Sequence, residues 1–434
     1  MSARIHIAGY LLFAMLLVRV FGSTQKLIPT IALDAAAGGL AVSAALLLFS
    51  TLRFSAKIQV SILFSIGASL LIYAYAKGGS FSLIETFSRN TFLLSMIMSV
   101  GFLKLILDLE LTQGKLPTGA KPYLKTLIGL GLFGSVINIS APIMMCDRID
   151  KEQPIDLFTA RSMTRVFCAC SSWSPYFGAT ALVLTLVDNV SLIAVMLTGL
   201  PLMVLTIISM YFIAIIRHPD RVSRFTGYPL SASKLWLPIA LTVTVVVTQA
   251  LVPALPILVV ISFSALLLTA AVMIYRLGLG KGSLRLKKHV VSGLPGSANE
   301  LLLFISAGVL ATGLTAFLSI SNFQISLTEY TLSTACLTLA AMILIAGIGI
   351  HPVIQISVLT PLLLPINPDP ELLAMTYLFS WGLGNASSPL SGTNLIFQGR
   401  YGISAWQGAI HNWPYVIPMY FVAIALMALL DTLS

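Results

Sequence analysis

Residues 382–402 read Gly-Leu-Gly-Asn-Ala-Ser-Ser-Pro-Leu-Ser-Gly-Thr-Asn-Leu-Ile-Phe-Gln-Gly-Arg-Tyr-Gly. Gly384, Pro389 and Gly392 break helical hydrogen bonding inside an apolar run, and Asn385, Ser387, Ser388, Ser391, Thr393 and Asn394 crowd into the gap. No continuous helix survives that composition. Broken backbone at membrane depth is tolerated only where protein buries it or where it lines a polar cavity, so freed carbonyls and hydroxyls here point to a held ion or substrate. A second stretch, Ser171-Ser172-Trp173-Ser174-Pro175-Tyr176-Phe177-Gly178-Ala179-Thr180, has the same order: a serine pair, a proline, then a small-residue step with a hydroxyl. Two such interruptions predict a two-fold internal repeat.

The 434-residue chain is 57% hydrophobic and only 9% charged, with a mean hydropathy of +0.96, outside the range of soluble proteins. Its apolar segments reach the 18 or more residues that a helix needs to cross about 30 Å of hydrocarbon, and the alternation of a membrane β-strand is absent. The expectation is an all-α integral membrane protein in the cell inner (plasma) membrane. The net charge of +10 reads as a cytoplasmic excess of Lys and Arg rather than a nucleic-acid surface, because no soluble basic domain is present to bind one. Cys146, Cys168, Cys170 and Cys336 form no C-x-x-C pair, so neither a transition-metal site nor a disulfide is implied.

Apolar runs place a first transmembrane helix within 1–27, then helices at about Ile28 to Ser50, Ile58 to Ala76 and Thr91 to Asp108. A re-entrant hairpin at about 126–147 and a broken helix at about 156–187 follow. Residues 28–216 form the first repeat. A cytoplasmic linker, 217–234, carries Arg217, Arg221, Arg224 and Lys234. Residues 235–434 form the second repeat: two crossings between Leu235 and Tyr275 with a turn at Pro253 to Pro256, a basic linker Arg276 to His289, a crossing from Leu301, a hairpin at about 330–364, a broken helix at about 371–397 and a last span from Trp413. This gives about 11 crossings plus two hairpins. With the N-terminus cytoplasmic, most Lys and Arg fall inside. The two repeats then start from opposite faces and are inverted, an arrangement typical of secondary transporters.

The residues expected to line a substrate site are Asn138 and Ser140 of the first hairpin, Ser172 and Ser174 of the first break, His351 of the second hairpin, and Ser388, Ser391, Thr393 and Asn394 of the second break. Ser171, Gly178, Thr180, Gly349, Asn385, Ser387 and Gly392 are the expected ion-binding set. Short half-helices meeting near the midplane would aim N–H groups at an anion, while carbonyls and hydroxyls coordinate a cation. Small and hydroxyl residues also let helices pack closely, but packing alone does not call for paired prolines and asparagines. Arg161 and Arg165 share one helix face; they either meet an anionic substrate or pair with Asp147, Asp150 or Asp156. Asp34 shows no partner in the sequence, which would favour proton coupling. No nucleophile–base set, phosphate loop or H-E-x-x-H pattern points to an enzyme.

On these residues the chain resembles the ion transporter superfamily, including the divalent-anion:sodium symporters, the arsenite pump membrane subunit and the large membrane subunit of tripartite periplasmic (TRAP) transporters. The segments that carry the likeness are Gly349-Ile350-His351-Pro352 through Leu359-Thr360-Pro361-Leu362-Leu363-Leu364-Pro365, and Ser388-Pro389-Leu390-Ser391-Gly392-Thr393-Asn394-Leu395. The Ser-Asn-Thr tips of the dicarboxylate symporters are replaced by Asn138-Ile139-Ser140 and Gly349-Ile350-His351-Pro352. The resemblance implies sodium or proton sites at each hairpin and break, a substrate shared between them, elevator motion and a homodimer. The expected function is secondary transport of a small organic anion, a carboxylate, with Na+ or H+ as the coupling ion and no other cofactor. The alternatives are a permease subunit that needs a soluble substrate-binding protein or an ATPase, and a passive channel.

Overall fold

The structure, a computed structural model, describes residues 3–23, 28–109, 115–229, 236–252, 254–321, 323 and 327–433. Lys234 and Pro253 lie outside them. The described residues are helical throughout, apart from loops and one isolated antiparallel bridge, Thr118 to Thr226. Seven stretches among them are long and apolar enough to cross a membrane, and Trp236–Leu251, Leu332–Gly347 and Pro352–Ile366 are shorter apolar helices. The chain is an α-helical, multi-pass membrane protein.

The chain divides into two compact units. Unit 1 comprises residues 1–110, 239–326 and 357–362; unit 2 comprises 111–238, 327–356 and 363–434. In chain order the helices are α1 (Ala3–Gly22), α2 (Thr30–Leu48), α3 (Phe54–Ala76), α4 (Leu83–Ser88), α5 (Thr91–Gly101) and α6 (Lys104–Leu109); then α7 (Ala120–Ile137), α8 (Ser140–Asp150), α9 (Leu157–Cys170), α10 (Gly178–Leu186), α11 (Leu192–Arg217) and α12 (Pro219–Ser223). There follow α13 (Trp236–Leu251), α14 (Ile257–Lys288), α15 (Ala298–Ile320), α16 (Leu332–Gly347), α17 (Pro352–Leu363), α18 (Pro370–Ser387), α19 (Gly392–Tyr401), α20 (Ala405–Ile410) and α21 (Trp413–Leu433).

Within unit 1, α3 packs along α15 and α1 along α2. The approach of α3 to α15 depends on small residues. A Cβ at Gly67 would meet the Leu310 backbone at 2.6 Å, so the two helix backbones touch, as small-residue membrane interfaces allow. Asp34 is not unpaired. It accepts from Arg19 at 2.5 Å, and Arg19 is buried beneath it, donating also to Thr91 Oγ1 (2.6 Å) and lying over the Phe92 ring. The arginine near the end of α1 and the aspartate near the start of α2 meet because the two helices form a hairpin. Asp34 is thus an ion-pair partner rather than the lone carboxylate that would favour proton coupling.

The basic segment expected to be a linker, Arg276 to His289, is helical. At Gly278 the backbone adopts φ 77°, ψ 164°, a conformation that favours glycine. The arm 279–288 continues as helix from there, with Gly282 against the Met273 carbonyl. His289–Gly293 then forms a π-helical turn, with the His289 ring 4.5 Å from that of Phe102.

Candidate functional site

Unit 2 contains both interruptions and both inter-helix tips. Helix α9 starts where the Asp156 carboxylate caps the Thr159 N–H at 2.8 Å. It stops at Cys170, and α10 begins at Gly178. Pro175 has no N–H to continue the helix and disfavours helical geometry at Ser174. The carbonyls freed by the break are taken by the predicted hydroxyls. Ser171 Oγ donates to Cys168 O (2.7 Å), Ser172 Oγ to Ala169 O (2.6 Å) and Gly199 O (3.2 Å), and Thr180 Oγ1 to Ser174 O (2.7 Å). Ser174 Oγ donates to Ser135 O and accepts from Tyr176 N at 3.1 Å. All four are fully buried. Ser171, Ser172 and Thr180 each spend the single hydroxyl proton on backbone and retain lone pairs. The first tip leans on the same turn: Asn138, at φ 52° after α7, donates from Nδ2 to Tyr176 O at 2.9 Å. Ser140 opens α8, and Gly178 opens α10.

The second interruption is built the same way from different residues. Asp369 caps α18 through Leu372 N (2.7 Å), the helix ends at Ser387, and Ser388-Pro389-Leu390-Ser391 carries the chain to α19, which opens at Gly392. Ser391 Oγ caps α19 by accepting from Asn394 N (3.3 Å), and Asn394 Nδ2 returns to Ser388 O (2.9 Å). Ser387 Oγ turns back to Leu383 O and Gly384 O, each at 3.1 Å. Asn385 differs: its Oδ1 is buried without a hydrogen-bond partner. The second tip, between α16 and α17, turns at Gly349 (φ 104°). There His351 Nδ1 accepts from Val353 N (3.1 Å), so His351 acts as a cap, with its ring edge-on to Trp381 at 5.2 Å. One turn on, Gln355 donates to Ile350 O (2.9 Å) and its Oε1 is buried without a partner.

Close backbone approach brings the two interruptions together. A Cβ on Gly382 would sit 3.0 Å from Cys168 O and 3.2 Å from Ser171 Oγ. Gly384 packs on Ala346 and Pro352, which seats the second tip on α18. Each tip and break thus pairs the C-terminal end of one helix, rich in carbonyls, with the N-terminal end of a short one, rich in N–H groups.

The arginines do not find the carboxylates expected of them. Asp147 pairs with Arg400 (2.7 Å), Asp156 with Arg221 (2.9 Å), and Asp150 accepts from Ile155 N (3.0 Å). Arg165 donates instead to Asn412 Oδ1 (2.8 Å), to His411 O (2.6 Å) and to Met210 Sδ (3.2 Å), with its guanidinium over the Tyr415 ring. Asn412 in turn donates to Ala386 O at 2.9 Å, one residue before Ser387. The cation therefore braces the second break from the first broken helix. Arg161 donates to Leu157 O at 3.3 Å. Beyond the apolar part of α19, Tyr401 donates to Asp147 Oδ1 (2.7 Å); burial first, and that hydrogen bond second, push its phenol well above the usual range.

Ser135, Gly199, Gln355, Trp381 and Asn412 belong to this region and were not anticipated. Gln355 is an amide in an apolar segment and Asn412 heads the last apolar run, signals that the sequence does carry. Searches of the whole chain find no matching protein-family model and no matching curated protein.

Proposed function

We propose that the chain is a secondary active transporter that moves a small organic anion, a carboxylate, coupled to Na+ or H+ by elevator-type alternating access. The observation that carries this reading is the pair of interrupted helices in unit 2, with buried hydroxyls along each break and two buried amide oxygens, of Asn385 and Gln355, left without partners. A buried acceptor without a donor costs about 1–3 kcal/mol, and a cation in contact with it removes that cost. The N–H groups at the starts of α10 and α19 suit the anion. The reading assigns the α7–α8 and α16–α17 pairs as re-entrant hairpins, α9–α10 and α18–α19 as broken helices, and the whole as two inverted repeats with about 11 crossings. Unit 2 then carries substrate. The N-terminus is cytoplasmic, the membrane is the plasma membrane, and the protein works as a homodimer.

In this scheme Ser388, Thr393 and Ser140 face substrate. Ser391 and Asn394 shape the second break, since Ser391 Oγ accepts from Asn394 N and Asn394 Nδ2 donates to Ser388 O. Ser171, Ser172, Ser174 and Thr180 offer lone pairs or hold the first break open.

The test is uptake of radiolabelled carboxylates and oxyanions by the purified chain in liposomes, under an imposed Na+ or pH gradient. Gradient-driven uptake that disappears in Ser388→Ala and in Asn385→Ala, with thermal unfolding of the protein kept cooperative, is the expected result. Undiminished uptake in both variants overturns the assignment. Flux indifferent to either gradient makes the protein a channel, and uptake only after adding a soluble binding protein or ATPase makes it a subunit.

A further inference from the structure

The arm 279–288 and the groove beside it form a second site, within unit 1. Leu279 and Leu284 on the arm are 74% and 66% exposed, and the arm also carries Lys281, Arg285, Lys287 and Lys288. No Asp or Glu occurs between Arg276 and Asn299 to neutralise them. Exposed leucines interleaved with uncompensated positive charge suit this short arm to the membrane interface, where long basic side chains reach the headgroups. Directly beside it lies a groove of about 420 Å3. Its walls are apolar, with Tyr10, Phe13, Phe102 and Phe263 among the lining side chains, and Lys287 is the single charged residue that lines it. Two aromatic pairs at 6.2 Å, Phe13 with Phe102 and Phe21 with Phe263, fix the walls.

We propose that this groove binds an anionic phospholipid, one acyl chain lying along the aromatic wall and the headgroup phosphate held by Lys287 and its basic neighbours. Apart from Lys287 and the Tyr10 hydroxyl the lining is hydrocarbon, which selects an acyl chain over a polar ligand or an ordered water. The lysine selects charge: a neutral lipid fills the groove equally well but gains nothing from the ammonium. Basic residues at the cytoplasmic membrane surface recognise anionic headgroups in this way. Among the described residues no carboxylate pairs with Lys287, so the phosphate meets no competitor.

The experiment measures thermal unfolding of the detergent-solubilised chain against added phosphatidylglycerol, phosphatidylcholine or glycerol 1-phosphate, with native mass spectrometry for retained lipid. Phosphatidylglycerol is expected to stabilise at concentrations several-fold below phosphatidylcholine, and glycerol 1-phosphate not at all. Lys287→Gln should weaken the phosphatidylglycerol response about five-fold, the effect of one basic residue near an anionic surface, and leave the phosphatidylcholine response unchanged. Ala270→Trp, which fills the groove, should remove the retained lipid mass. Equal responses to the two phospholipids, an equal response to glycerol 1-phosphate, or unaltered phosphatidylglycerol affinity in Lys287→Gln would each overturn the proposal. So would a second copy of the chain, or another polypeptide, found at the groove in place of lipid.

Discussion

Arg165 and Asn412, 247 residues apart in sequence, are joined by a 2.8 Å hydrogen bond from Nε to Oδ1, and the same asparagine holds the Ala386 carbonyl at the end of α18. A cation on the first broken helix therefore supports the second break through a neutral intermediary. The guanidinium suits the task because its fork donates to Asn412 and to the His411 carbonyl at once.

Replacing Arg165 with Ala strands the fully buried amide oxygen of Asn412. The expected loss is on the order of 3 kcal/mol in thermal unfolding, and Lys recovers only part of it, lacking the second arm. In a double-mutant cycle with Asn412→Ala the coupling should reach about 1 kcal/mol or more, above the ~0.6 kcal/mol of an average interhelical bond in a membrane protein. Strict additivity would show that the two residues act separately.

Ser174 is at the centre of the first break, bonded to Ser135 O and Tyr176 N, with Thr180 on its carbonyl. Ser174→Ala should cost about 1–2 kcal/mol, by orphaning buried backbone groups. Hydrogen exchange should show faster opening of 171–177 and unchanged protection in α3 and α15. Uniform loss of protection across the chain would contradict a local role.

Gly199 and Gly39 make opposite predictions for the same substitution. A Cβ at Gly199 would collide with the Ser172 carbonyl, so Gly199→Ala must push α11 off the break and destabilise by about 3 kcal/mol or more. At Gly39, in the interior of α2, a Cβ meets nothing within 4 Å, and Ala there should be neutral or stabilising by up to about 1 kcal/mol. Melting temperatures of the two variants decide the matter directly.

Tyr401 gives a pH signature. Its folded pKa is raised above the ordinary value of about 10, so above that pH the unfolded chain binds fewer protons than the folded one at this site. The stabilisation is complete below pH ~10 and is lost as pH rises toward the folded value. Tyr401→Phe should flatten the alkaline fall of the melting temperature relative to the parent, and parallel curves for the two proteins would exclude the effect.

The positions of the breaks were readable because their causes are local. Pro175, Pro389 and the flanking glycines deny the helix its hydrogen bonds whatever the rest of the chain does. The tertiary partners of Arg165 were not readable, since three helices far apart in sequence define them. Asp34 is an intermediate case. Arg19 near the end of α1 and Asp34 near the start of α2 are fifteen residues apart on consecutive antiparallel helices, and that spacing alone could have paired them. Gly278-Leu279-Gly280-Lys281-Gly282 also announced a reversal, but the basic residues around it made the segment look like a loop. What no pattern in the sequence foretold was the allocation of hydroxyls. The serines at both breaks were expected to serve a ligand, and most of them first satisfy their own backbone.

The pairing of Arg19 with Asp34 also bears on how the chain is made. A ribosome releases Arg19 about one to three seconds before Asp34, at ordinary elongation rates. Until then the guanidinium lacks its carboxylate; a lone arginine costs about 2.5–3.5 kcal/mol at the centre of a membrane helix and less toward the end, where Arg19 stands. Entry of the two segments as one hairpin would let Asp34 neutralise Arg19 on the way into the bilayer.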